Sequence, residues 1–256
     1  MDALLNFFPH LDLHMLALIA LAGLYAGTQN TLAGGGSFIT FPTLLLAGLN
    51  PLAANMTSTV ALFPNQITSS LAGRKLAGDV GKLRLRWLFA LSVCGGLAGA
   101  LLLLITPVQI FSKLVPWLVL FATALFAWGS FLRKPLHARR LPVAVLAGAQ
   151  FMIGVYGGYF GGGIGFLMLA TLTMAGQAVR MATATKNVLA MAMNASAVAI
   201  FAASDRIDWS AAAALAIGGI AGGFLGSWLM FRLPEKLIRG LVVAIGSALT
   251  IWLFTY

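Results

Sequence analysis

Charge is the scarcest commodity in this sequence. Only 9% of its 256 residues are Asp, Glu, Lys or Arg, where a soluble domain carries about 25%. Too few charges exist to cover a water-facing surface. Acids are scarcer still, six in all. Asp2, Asp12, Asp79, Asp205, Asp208 and Glu235 fall in the N-terminal tail, in connectors or, for Glu235, at the very start of the last segment, and none lies deep within an apolar run. A cation site or a carboxylate proton relay needs acids at membrane depth, so cation transport is disfavoured. Cys94 is the single cysteine, which excludes an internal disulfide. The three histidines (His10, His14 and His137) lie at or near segment ends. With no His/Cys cluster and no carboxylate pair, neither a metal site, a cofactor nor enzymatic chemistry is expected. No Walker sequence is present, so this chain does not drive transport with ATP. The stretch GGYFGGGIG resembles a nucleotide loop superficially, but it lacks the preceding strand, the acidic ribose partner and the phosphate lysine.

What the sequence does have is apolar length. Hydrophobic residues make up 60% and mean hydropathy is +0.95. Apolar runs of about 20 residues, enough to cross ~30 Å of hydrocarbon as helix, recur throughout. No run alternates in polarity as barrel strands do. The chain therefore reads as an all-α polytopic membrane protein forming one transmembrane domain over residues 1–256. Its net charge of +10 sits in short connectors, where basic residues set orientation, so the bilayer and not a nucleic acid is the expected partner. A homodimer is compatible with this composition. Asp2 and Asp12 stand where a signal peptide carries positive charge, so the N-terminus reads as a first membrane segment and not as a cleaved leader.

The apolar segments are 13–33, 35–49, 52–73, 86–106, 108–132, 141–160, 162–176, 179–203, 209–231 and 234–255. Segments 35–49 and 162–176 are short for a crossing, and each follows a triple glycine: Gly34, Gly35 and Gly36, then Gly161, Gly162 and Gly163. Basic residues cluster at 74–86, 133–140, Arg180 and 232–239. All four clusters share one side if each glycine-linked pair makes an even number of crossings, either as two full spans or as a re-entrant hairpin. With those clusters cytoplasmic, both termini lie outside.

The chain also repeats. Gly27 matches Gly154, Gly34 matches Gly161, Ser58 matches Thr185 and Pro107 matches Pro234, each 127 residues on. Repeat 1 covers about 13–132 and repeat 2 about 141–255. Each holds a glycine-tipped broken or re-entrant helix pair plus three transmembrane helices. The net crossing per repeat is odd, so the expected fold is two inverted-topology repeats, a common plan of secondary transporters.

Glycine is a poor helix former, and irregular backbone at membrane depth survives only where it is buried or lines a polar cavity. A triple glycine between apolar helices thus reads as a hairpin tip. The helix after it starts inside the membrane with free N–H groups and a positive dipole end, which suits an anion. The alternative is packing surface, which is the better reading for Gly95/Gly99, Gly154/Gly158 and Gly218/Gly222/Gly226, spaced four apart as close-packed membrane helices require.

The stretches GGGSFITFPTLLLAGLNPLAANMTST and GGYFGGGIGFLMLATLTMAGQAVRMATATKNVLAMAMN resemble the paired signatures of the TauE/SafE sulfite exporter family, the TSUP-type transporters. The likeness runs over nearly the whole chain and rests on the arrangement of glycine cluster, short apolar segment and Ala/Thr/Ser-rich helix start, duplicated. It implies a secondary transporter of the bacterial inner membrane that moves sulfite, organosulfonates or related sulfur-containing and carboxylate anions.

Candidate anion ligands follow from polarity inside spans. Lys186 lies within segment 179–203, where burial of an ionisable group is costly and points to function. The alternative is that it snorkels to the interface, two helical turns away. Thr185, Asn187 and Asn194 accompany it, and Asn187 and Asn194, seven apart, share a helix face. The first repeat offers Thr57 and Ser58, and Gln29 and Asn30 precede the first glycine run. Tyr159 borders the second tip. These groups could bind oxyanion oxygens or join helices. An anion channel, a carrier of another small carboxylate or oxyanion, and a non-transporting scaffold remain alternatives to an alternating-access carrier.

Overall fold

The computed structural model describes residues 12–32, 36–128, 142–229 and 235–255. Among these the chain forms ten α-helices: α1 (Leu13–Leu32), α2 (Ser37–Leu46), α3 (Pro51–Gly73), α4 (Leu85–Ile105), α5 (Val108–Ala127), α6 (Val143–Tyr159), α7 (Ile164–Met174), α8 (Val179–Ala202), α9 (Trp209–Leu229) and α10 (Glu235–Thr255). Each corresponds to one apolar segment of the sequence. Gly34, Gly35 and the basic cluster at 133–140 lie outside the described residues.

Three of these helices, α4, α5 and α8, are long and apolar enough to cross a membrane by themselves. Large apolar side chains face outward, including Leu21, Ile105, Trp117, Phe224 and Ile251. In water that surface would be an aggregation hazard. In lipid it is the expected exterior.

Helices α2 and α7 have 10 and 11 residues, which at 1.5 Å per residue span roughly 15–17 Å, about half the hydrocarbon thickness. Both end alike. Gly48 and Gly176 take φ of +92° and +96°, and the next amide reaches back to close the last turn, Leu49 N to Leu44 O and Gln177 N to Leu172 O. This left-handed helix end favours glycine because a Cβ would clash. Helix α3 then restarts immediately, with Pro51 in its first turn and the Asn50 side chain accepting from Ala53 N at 3.0 Å.

The tightest seams are glycine seams. In lipid, helices gain little from hydrophobicity against one another and associate by van der Waals fit, so small residues win. On α1 and α9, a Cβ at Gly27 would overlap Gly219 O, and one at Gly222 would overlap Leu24 O. Thr28 Oγ1 also donates to Gly222 O at 3.0 Å. On α4 and α6, a Cβ at Gly95 would lie 2.6 Å from Phe151 O, and Gly158 meets the Gly96 backbone. Of the sets read as packing in the sequence, Gly95, Gly99, Gly154, Gly158, Gly218 and Gly222 do pack, and the surroundings of Gly226 lie outside the described residues.

Partnering follows a pattern of exchange. Helix α1 packs on α9, and α6 packs on α4. Both pairs run parallel, with Gly23 beside Leu215 and Gly27 beside Gly219, and with Ser92 beside Gln150 and Gly99 beside Val155. Helix α3 packs antiparallel on α8: Met56 meets Ser204, Gln66 meets Asn194 and Gly73 meets Ala184. Helix α5 packs antiparallel on α10, through Trp117 with Phe254 and Thr123 with Gly246.

Candidate anion site and family membership

The second glycine tip is a reversal between α6 and α7. Gly161 and Gly163 adopt φ of +79° and +74°, whereas Gly162 does not enter the left-handed region. The requirement for glycine therefore differs along the run. At Gly163 a Cβ would also press on Ala122 Cβ of α5 at 3.3 Å; at Gly162 its nearest neighbours would be atoms of the Phe160 ring, from 2.6 Å, a side chain that can turn aside. Tyr156 Oη donates to Gly162 O at 2.9 Å, and Asn55 Nδ2 of α3 donates to Tyr159 O at 3.0 Å. One side chain of α6 itself and one from α3 thus brace the tip. Gly36, the described member of the first run, is helical (φ −52°) and precedes α2, so its smallness is used for the close approach of the Ala26 carbonyl.

Helices α7 and α8 fold back on one another, and this places Lys186 opposite the start of α7. Its Nζ lies 3.6 Å, and its Cδ 3.7 Å, from where a Cβ on Gly165 would stand. The side chain is partly buried, and the structure gives its ammonium no hydrogen bond and no ion pair among the described residues. An ammonium held against the positive end of a helix dipole is an unfavourable pairing, unless an anion lies between or beside them. The described acids are elsewhere. Asp79 accepts from Leu85 N at 2.7 Å and Asp208 from Ala211 N at 2.9 Å, each capping the helix after its connector.

The other sequence candidates separate into groups. Asn187 is partly buried one residue beyond the lysine, with no side-chain hydrogen bond among the described residues. Asn194, 3% exposed, donates through Nδ2 to Gln66 Oε1 of α3 at 2.6 Å, while its Oδ1 is buried without a partner. Gln29 is buried and Asn30 partly so, both near the end of α1; Asn30 Cβ lies 3.5 Å from a Cβ position on Gly36. Ser58 shares a hydrogen bond with Thr40 of α2, which joins α2 to α3 as the Gly165–Lys186 contact joins α7 to α8. Thr57 accepts from Asp208 N at 3.1 Å, and Thr185 accepts from Gly78 N at 3.2 Å. These two threonines are committed to connectors, away from the tips. Tyr159 is partly buried with its ring edge-on to Phe111.

Sequence reasoning passed over Gly165, although it is the fourth glycine of GGGIG, and Gln177, whose place beside the helix-ending Gly176 marked it as loop. Both touch the candidate residues. Among the described residues no group of three His, Cys, Asp or Glu side chains could hold a metal.

An all-helical bundle with an apolar exterior, half-length helices and an unpaired cation at a helix start defines a polytopic membrane protein. Residues 19–253 match the family model described as sulfite exporter TauE/SafE, and the chain belongs to that family. It is 33% identical over 250 residues to the "Probable membrane transporter protein ORF9" of Sinorhizobium sp, covering 94% of this chain and 93% of that one. It is 27% identical over 241 residues to the "Probable membrane transporter protein YfcA" of Escherichia coli strain K12, covering 92% and 88%. A "Probable membrane transporter protein" of Haemophilus influenzae is 30% identical over 246 residues, covering 94% of each chain. No solved structure matches. The relatives are named as transporters and not as enzymes, and the chain is a membrane transporter of the TauE/SafE type.

Proposed function

We propose that the chain is a secondary exporter of small anions, specifically sulfite or an organosulfonate-type sulfur oxyanion, working by alternating access across the bacterial inner membrane. The observation that carries the anion is Lys186, an ammonium set against the N-terminal turn of α7 with no hydrogen bond or ion pair among the described residues. Sulfur among the anions is supported by the family description. Export needs no coupling group of its own, since an inside-negative potential drives an anion outward by about 2.3 kcal/mol per charge per 100 mV.

Alternating access is supported by the pairing of the helices. Under an exchange of residues 13–127 with 143–255, the α1–α9 pair becomes α6–α4, and the α3–α8 and α5–α10 pairs become themselves. A helix that packs antiparallel on its own counterpart is what a two-fold axis perpendicular to both produces. For helices along the membrane normal such an axis lies in the membrane plane, which supports the reading of two inverted repeats. Basic clusters in the cytoplasm then leave both termini outside.

The test is transport by purified protein in liposomes. Sulfite, thiosulfate, taurine, sulfoacetate and simple carboxylates are screened for thermal stabilisation, and the stabilising anion is assayed for counterflow. Exchange acceleration by internal anion is expected. Flux without acceleration would indicate a channel, and absence of any anion-dependent flux or stabilisation would reject the reading.

A further inference from the structure

We infer that the connectors closing opposite ends of the α3–α8 pair are paired gates, each latched on a buried threonine of the other repeat, and that a knot of Gln177, Thr185 and Gly78 holds the basic-side gate shut in this conformation. This rests on the transporter reading above.

Thr57 is the seventh residue of α3 and Thr185 the seventh of α8. Both are 0% exposed. Each takes a backbone amide from the connector that leaves the other helix: Asp208 N reaches Thr57 Oγ1, and Gly78 N reaches Thr185 Oγ1. Each connector also drops apolar side chains into the bundle. Val80 and Leu83 are 2% and 8% exposed and join a cluster with Met168, Leu172 and Leu189, while Ile207, 8% exposed, packs in the cluster of Leu52 and Ala211. Two unrelated loops would not be expected to repeat this arrangement. Each hydroxyl satisfies a connector amide that an apolar side chain would leave unpaired, so it holds its connector against the bundle.

The two latches differ in strength. Gln177 Nε2 donates to Thr185 Oγ1 at 2.9 Å and to Gly78 O at 3.2 Å, tying three segments together at the end that carries Arg74, Lys75, Lys82 and Arg84. The corresponding residue of the first repeat, next after the helix-ending Gly48, is Leu49, whose side chain has no donor to offer. At that end a cavity of about 740 Å³ separates the turn before α3 from the second connector, lined by Gly48, Asn50, Ala53, Val108, Arg206 and Asp208. The basic end is therefore sealed by a knot of three segments, whereas at the opposite end the threonine latch is one bond, with Arg206 Nη1 donating to Leu104 O at 3.2 Å beside an open vestibule. Thr185 immediately precedes Lys186, so an anion drawn to the ammonium acts on the helical turn that carries the stronger latch.

The test uses the full chain with its exposed native thiol removed (Cys94→Ala), carrying Leu83→Cys or Ile207→Cys as reporter. Labelling by a membrane-impermeant maleimide is measured in sealed vesicles of each orientation. Thr185→Val and Gln177→Leu are each expected to speed labelling of Leu83→Cys from the basic side by roughly three- to tenfold, the shift that loss of one or two neutral hydrogen bonds produces. Thr185→Ser, which keeps the hydroxyl, should stay near the parent rate. Thr57→Val should instead speed labelling of Ile207→Cys from the other side. Unchanged labelling of Leu83→Cys in both Thr185→Val and Gln177→Leu overturns the inference, and so does equal acceleration at both reporters, which would mean general loosening. Counterflow in the same vesicles separates the two readings: a parent that transports while its latch variants label as before loses the gates and keeps the transporter, whereas a parent with no anion flux loses the transporter.

Discussion

Replacing Lys186 by methionine removes the ammonium while keeping the length and much of the apolar stem. With an anion about 4 Å from Nζ and an effective dielectric near 20, the lost attraction is about 4 kcal/mol. The helix end retains up to about 2 kcal/mol for an anion in a partly buried setting. That helix-end contribution is common to parent and variant and cancels, so with solvent screening of the lost pair the loss is about 2–4 kcal/mol, or roughly 30- to 1,000-fold in affinity. Anion-induced thermal stabilisation reads this directly. Parent protein at 100 times its Kd gains about 2.7 kcal/mol, and a variant binding 100-fold more weakly gains about 0.4 kcal/mol at the same concentration. Lys186→Arg should keep part of the gain, because the charge stays but its compact point becomes a planar fork. Gly165 supplies an independent arm. Gly165→Ala adds a methyl 3.6 Å from Nζ, an ordinary contact, and should be tolerated, while Gly165→Leu should weaken binding without removing any charge. Stabilisation of Lys186→Met equal to the parent would refute the reasoning and leave the ammonium a snorkelling group.

Three further outcomes are expected. Reporters fused after Lys75 and after Lys134 should report cytoplasm and one after Tyr256 the outside; a cytoplasmic C-terminus would sink the inverted repeat, whose basis is parity. Gly163→Ala should impair transport more than Gly162→Ala, since the left-handed backbone at Gly163 costs an alanine about 1–2 kcal/mol and Ala122 allows little room; equal effects in a flux assay would contradict this. Gly222→Ala should lower the melting temperature, by the roughly 1–3 kcal/mol that overpacking costs, and leave anion affinity unchanged, because the new methyl meets only the backbone of Leu24.

Membrane residence and helix positions were legible without coordinates, because each is written in local terms. Hydrocarbon thickness sets the run length, and lipid tolerates charge only in connectors, so the ten segments stand out in composition alone. The packing glycines were legible for a similar reason: a spacing of four puts small residues on one helix face. The triple glycines announced a reversal, but which of the three needs to be glycine was not readable. Gly161 and Gly163 are left-handed and Gly162 is not, and that follows from how α7 must turn back against Ala122.

Polar residues within spans were the least legible, because a hydroxyl or an amide has the same letter whether it faces a ligand, a loop or a neighbouring helix. Thr57 and Thr185 looked like anion ligands and are bound to connectors; Asn194 proved to clasp Gln66. Lys186 was conspicuous by its cost alone. What it stands against came only from the fold, since Gly165 and Lys186 meet because a half-length helix ends at Gly176 and α8 runs back beside it. Composition thus determined that this chain lives in lipid, and the spacing of its glycines determined where its helices touch. Which polar group is free to meet a solute was decided by tertiary structure, because freedom is what remains after every neighbour has taken its hydrogen bond.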